Sequence, residues 1–233
     1  MICLSFDTDY MSESRMKEFF DLIPIPGKGT FFCTQFYDVL NNSKHESGPH
    51  PFLPAEQGGW DKELNKMREM LPKAVGWRSH SCVISHPLTV WLKDNGYVYT
   101  STYDQFLEDD IRPHRHAWGV WQVPIYYMDN MDFSYGEMHN QLDYQAFNIS
   151  ILEKSVSNDS LYVFDFHPIH LMLNTPNSTY YSDNKDLFQK NINIEELVYR
   201  GRGVRTFYLE LLDLMNGKSM KSYSIREMLN FKS

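Results

Sequence analysis

Residues 1–10 read MICLSFDTDY, and residues 29–34 read GTFFCT. In the first stretch an apolar run, Ile2–Phe6, stops abruptly at Asp7 and Asp9. A short apolar run of this length suits a buried strand. The i, i+2 spacing of the two aspartates puts both carboxylates on one face of that strand. Ser12 to Leu22 follows, with Met16, Phe19, Phe20 and then Ile23 at helical spacing. Pro24 and Pro26 stop the helix, Gly27 and Gly29 open a tight loop, and the aromatic GTFFCT makes a second strand. Strand, helix, strand is the βαβ unit of a parallel sheet.

Working outward, the alternation continues. Trp60–Leu71 reads as a helix, Ala74–Trp77 as a strand, Pro87–Asn95 as a helix and Tyr97–Thr102 as a strand. Val120–Tyr126 is a strand broken at Pro124, Leu142–Val156 a helix and Leu161–Phe166 a strand. Val204–Met215 is a helix, and Ser224 N-caps a last one. Residues 41–59 and 174–185 read as irregular polar loops. The count fits an α/β fold of one domain, residues 1–233, arranged as a distorted or partial (β/α) barrel.

Composition narrows the partners. Lys and Arg number 22 against 30 Asp and Glu, a net charge of −8. That balance argues against nucleic acid and against an anionic membrane surface. With 42% hydrophobic and 22% charged residues, a disordered chain is excluded. The run Ile2–Phe6 meets Asp7 too soon for a signal peptide, and no apolar stretch nears the ~18 residues of a membrane helix. A cytoplasmic protein without membrane insertion is expected; its oligomeric state is not legible. Cys3, Cys33 and Cys82 form neither a disulfide framework nor a metal knuckle. Cys3 and Cys33 are expected to be buried and inert.

Three polar pairs end apolar strands: Asp7/Asp9, Arg78/His80 and Asp165/His167. Parallel β/α folds carry their chemistry at the carboxyl ends of the strands, so the three pairs should share one mouth. A divalent cation could be held there by Asp9, His50 and His80. By spacing alone, His45 and His50 read more readily as solvated loop residues.

The ordered set of motifs resembles the polysaccharide deacetylase (NodB-homology) family. MICLSFDTDY and GTFFCT are similar to its opening, HESGPH (45–50) to its second motif and GWRSHS (76–81) to its third. VWQVPIYYMDN (120–130) is similar to its fourth region and FDFHPIHLMLN (164–174) to its last motif. The branch it most resembles is the WbmS-like one of lipopolysaccharide O-antigen biosynthesis. The resemblance implies a deacetylase-type barrel and a metal-dependent hydrolase that removes an N-acetyl group from an amino sugar, or from a glycan containing one. It makes Asp7 the general base, Asp9 and His50 metal ligands, Arg78 the residue that orients the base, and His167 the general acid. It also implies a divalent metal, with Zn²⁺ the expectation.

Two departures stand out. Thr8 separates the aspartates that the family usually has adjacent. Pro54 occupies the position of the family's second metal histidine, so His80 is taken as the third ligand. His167 needs a carboxylate partner, and Asp165 or Asp129 would serve. His170 is the second choice as acid. Asp129, Trp121 and Tyr126 are taken to face substrate, although the aromatic residues could equally be core. Two other readings stay open: a catalytically silent glycan-binding domain, and a hydrolase of another carbon–nitrogen bond. Arg200, Arg202 and Arg205 read as a solvated helix N-terminus.

Overall fold

The structure, a computed structural model, describes residues 1–53, 60–141, 143–157 and 160–231. The strands are β1 (Ile2–Asp7), β2 (Gly29–Cys33), β3 (Glu46–Pro49), β4 (Gly76–Trp77), β5 (Tyr99–Thr100), β6 (His114–Arg115), β7 (Trp121–Gln122), β8 (Tyr127–Met128) and β9 (Tyr162–Phe166). They form one sheet in the order β3-β2-β1-β9-β8 and another in the order β4-β5-β7-β6. Every pairing is parallel except that of the short, exposed β6 with β7.

The two sheets join into a distorted barrel. On one side Gly48 of β3 faces Gly76 of β4 so closely that a Cβ on Gly48 would meet the Gly76 carbonyl oxygen at 2.7 Å. Just beyond, Arg78 N donates to Pro49 O (3.2 Å) and His80 N to Pro51 O (2.9 Å). On the other side a single segment, residues 121–128, spans the gap. It pairs with β5 at its start and with β9 at its end, and Pro124 lies between. The strand expected over Val120–Tyr126 is therefore only the short β7, and β8, just past Tyr126, serves the other edge.

Strand alternation sorts the core into two layers. Ile2, Leu4 and Phe6 pack outward against the helices. The Phe6 ring stacks on Phe31 (4.7 Å) and meets Phe19 of the helix Glu13–Leu22 and Tyr208 of the helix Val204–Gly217. Burying a side chain such as Phe contributes roughly 1.5–3 kcal/mol. Inside the ring, Cys3, Phe32, Tyr99, Val123 and Val163 meet Ile225, Met228 and Leu229 of the last helix, Ile225–Phe231. That helix plugs the amino end of the barrel. Ser224 caps it as expected, in a reciprocal pair with Glu227 (3.3 Å each way).

Some elements differ from expectation. β3 lies inside the stretch 41–59 that reads as a loop; its Glu-Ser-Gly-Pro composition has little β propensity, and pairing with β2 holds it. Residues 54–59, including Pro54, lie outside the described residues. The supposed loop 174–185 is largely the helix Ser178–Gln189, whose N-cap Asn177 accepts from Tyr180 N at 2.9 Å. The helix expected from Leu142 spans Ile149–Ser157, residue 142 itself being outside the described residues, and a further helix runs over Asp129–Met138. Cys3 and Cys33 are buried. Among the described residues no helix is long and apolar enough to cross a membrane.

Candidate active site

The inward side chains of the strands form layers, and register decides which layer each joins. Asp165 of β9 pairs with Ser5 of β1, so it sits one inward position below Asp7. Arg78, which follows β4, enters between these layers and is fully buried. Its Nη1 donates to Asp7 Oδ1 (2.9 Å), to Ser5 Oγ (3.1 Å) and to Asp165 Oδ1. Its Nε donates to the Ser101 carbonyl (2.6 Å) and Nη2 to Ser101 Oγ (2.8 Å), and the guanidinium lies over the Phe32 ring. Burial opposes its charge, but Asp165 and Asp7 raise its affinity for the proton. Arg78 thus fixes Asp7 with one oxygen engaged and the other turned to the mouth.

Above this layer stands a carboxylate–imidazole cluster. His50 Nδ1 lies 3.0 Å from the Arg78 carbonyl, which can only accept, so Nδ1 carries the proton. The lone pair of Nε2 then points the other way, 3.7 Å from Asp7 Oδ2 and 3.4 Å from Asp9 Oδ2. That nitrogen is buried and, among the described residues, makes no hydrogen bond. His80, on the single turn His80–Cys82, brings Nδ1 within 3.3 Å of the Asp9 carboxylate. Ser81 and Cys82 take left-handed backbone (φ 55° and 52°) to make that turn. Donor atoms of Asp9, His50 and His80 lie within 4.8 Å of one another.

This donor set fits a divalent cation. A histidine whose Nδ1–H is anchored on a backbone carbonyl while Nε2 faces carboxylates is the usual arrangement of a metal-binding imidazole. The charges agree. Burial opposes ionisation of Asp9, but the imidazoles of His50 and His80 beside it hold it well below the usual carboxylate range. Burial lowers His50, and the charges of Asp7 and Asp9 more than reverse this, so a positive charge is favoured at that point.

Across the cluster, His167 presents Nε2 to Asp9 Oδ2 at 3.7 Å. Its Nδ1 donates to Asp129 Oδ1 (2.7 Å), and its backbone N–H donates to Asp129 Oδ2 (2.8 Å). Burial disfavours the imidazolium, but the Asp129 charge raises it to about 10. His170 sits beside it, centroids 5.2 Å apart, with Nδ1 3.2 Å from Thr175 Oγ1. Burial dominates there and lowers His170 to about 4, so it is neutral.

Several expectations change. Asp129 is not on the substrate side: it is fully buried beneath His167. It is the carboxylate partner that Asp165 is not, because Asp165 is committed to Arg78 and Ser5. Burial and the Asp7 charge raise the Asp165 carboxyl, against the pull of Arg78. Tyr126 is buried in the outer core against Tyr162 (4.6 Å) and Phe164 (5.6 Å). Trp121 pairs with Tyr99 at the lower end of the barrel, under the Arg115 guanidinium. Neither reaches the mouth. Arg202 meets Glu210 and the Phe147 carbonyl, and Arg205 donates to the carbonyls of Leu171 and Met172. Arg200 and Arg202, both exposed on glutamate partners, suit the solvated reading, and the half-buried Arg205 does not. Ser5 and Ser101 join the site without belonging to any motif; their signal in the sequence is a small hydroxyl at the inward position below Asp7 and above Tyr99.

A ring of parallel strands with its buried charge gathered at the carboxyl mouth is a barrel of the kind that carries chemistry there. Within that class the chain belongs to the WbmS-like family of polysaccharide deacetylases, whose model it matches over residues 4–185. Among solved structures it is similar to WbmS of Bordetella bronchiseptica, a candidate polysaccharide deacetylase involved in O-antigen biosynthesis. The TM-score is 0.75 at 24% identity, covering 91% of this chain and 89% of that one. A candidate polysaccharide deacetylase of Mycobacterium smegmatis gives 0.50 at 14% identity over 96% and 92% of the two chains. A 4-alpha-glucanotransferase of Thermococcus litoralis gives 0.51 at 11% identity, covering 98% of this chain and 38% of that one. No curated protein sequence matches the chain.

Proposed function

We propose that the chain, as one catalytic domain over residues 1–233, hydrolyses the N-acyl amide of an amino sugar used in a surface polysaccharide such as O-antigen. A cytoplasmic setting and Zn²⁺ as the metal belong to the same reading. The observation that carries it is His50 Nε2, buried between Asp7 and Asp9 and unbonded among the described residues, with a charged His167 on the same Asp9 carboxylate.

Asp9, His50 and His80 would hold the cation. When bound, it supplies positive charge that polarises the acyl carbonyl and acidifies water. The residues of the chain do the rest. Asp7, oriented by Arg78, accepts the proton from the attacking water as the new C–O bond forms. His167, charged on Asp129, gives its Nε2 proton to the departing nitrogen as the C–N bond breaks. Free acetate and the amine are the products. His170, neutral and with Thr175 as its hydrogen-bond partner, lines the site beside the acid.

The test is acetate release from N-acetylated amino sugars, with metal content read by mass spectrometry. Asp7→Asn should retain the metal and lose turnover by about 10²–10⁴-fold, the range of a general base. His50→Ala should lose both. A wild-type protein that binds no divalent metal would sink the reading.

A further inference from the structure

The helix Ser178–Gln189 brings to the mouth a group of side chains that the proposed reaction does not use. Tyr181 sets its ring edge-on to His170, centroids 4.5 Å apart. Tyr10 approaches from the strand side, its ring 6.5 Å from that of Tyr181. Tyr10 follows Asp9 directly and has φ 60°, a left-handed conformation that bulky residues rarely adopt. In that conformation 43% of the residue stays exposed at the rim of the carboxylate–imidazole cluster. Lys185, one helical turn after Tyr181, holds Nζ 5.1 Å from the Tyr10 centroid and 5.8 Å from that of Tyr181.

Among the described lysines Lys17, Lys28, Lys66 and Lys154 meet a carboxylate, and the others do not. Lys185 is half-buried and, among the described residues, meets none, in a chain with 30 acidic residues. Two ring faces hold its ammonium in place without neutralising it, so an incoming anion need not displace a salt bridge.

We infer that Tyr10, Tyr181 and Lys185 form a subsite for an anionic sugar. The rings pack on the apolar faces of the pyranose, and the ammonium meets a carboxylate or phosphate carried by the sugar or joined to it. This rests on the reading of the mouth as an amino-sugar site and names the class of substrate it takes.

Three probes test it on the full chain: N-acetylglucosamine, its 1-phosphate, and N-acetylgalactosaminuronic acid. Binding is followed by NMR titration and acetate release in parallel. At least one anionic probe should bind roughly two- to fivefold more tightly than the neutral sugar, as expected for a partly exposed ion pair, and added salt should shrink the gap. Lys185→Met keeps the packing of the stem and should abolish the gap while leaving the neutral sugar unaffected. Tyr10→Gly suits the left-handed backbone and should weaken all probes that bind. Which anion gains tells carboxylate from phosphate. Equal binding of all three probes, a gap that survives Lys185→Met, or no binding at all overturns the subsite. Charge-selective binding without acetate release from any probe leaves the subsite standing and removes the deacetylase reading. Acetate release without charge selectivity does the reverse.

Discussion

At the residue scale, the site turns on where each i, i+2 pair lies in the stack of inward layers. Asp7/Asp9, Arg78/His80 and Asp165/His167 all lie at the ends of strands, as their spacing requires. Yet Asp165 and His167 do not act on one another. Two residues along a strand are one layer apart, and the pairing of Asp165 with Ser5 sets that layer below Asp7. His167 is served instead by Asp129, from the start of the helix after β8. The prediction at this scale separates the two candidate acids. Asp129→Asn should cut the rate of acetate release by about 10²–10⁴-fold with metal content retained, because the proton donor loses its counter-charge. His170→Gln should cost far less. A larger loss from His170→Gln than from Asp129→Asn would transfer the role of acid to His170.

At the element scale, strands and helices with a clear apolar period were legible, and those held by other means were not. β3 has almost no apolar signal; its pairing to β2 carries it. The helix Ser178–Gln189 buries only Phe188, so its sequence reads as a polar loop, although it supplies Tyr181 and Lys185 to the mouth. His45 illustrates how β3 is tied in. Its Nδ1 accepts from Gly29 N at the start of β2 (3.0 Å), and its ring stacks on Phe20. Burial, helped by Lys44 and Lys28, lowers His45 to about 4 from its ordinary 6.5. In that window the unfolded chain binds the proton and the folded one does not, so stability falls as pH drops from 6.5 toward 4 and is whole above it. Urea unfolding at about pH 7 and about pH 5 should show this loss. His45→Gln, which can still accept from Gly29, should show a shallower one. An identical pH dependence in the variant would show that His45 does not contribute.

At the scale of the whole molecule, one buried guanidinium ties the ring together. Arg78 joins the layers of β1 and β9 through Ser5, Asp7 and Asp165, and reaches past β5 to Ser101. Arg78→Met would strand Asp7 and Asp165 as uncompensated buried carboxylates. It should destabilise the fold by about 3–5 kcal/mol, read as a lower denaturant midpoint with an unchanged slope. A variant as stable as the wild type would mean that the backbone closure alone holds the barrel.

The sequence by itself determined the alternation of strands and helices, the parallel sheet, and the polar pairs at the strand ends, Asp7/Asp9, Arg78/His80 and Asp165/His167. These are local properties: periodicity, stop signals and motif order lie within a few residues of one another. Only the tertiary structure decided the rest. Register placed Asp165 under Arg78, closure of the ring brought His80 to Asp9, and packing took Tyr126 and Trp121 away from the mouth while bringing Tyr10, Tyr181 and Lys185 to it. Which layer or face a side chain occupies depends on partners distant in the chain, 71 residues apart for His80 and Asp9 and 160 for Asp165 and Ser5, and no local pattern encodes that.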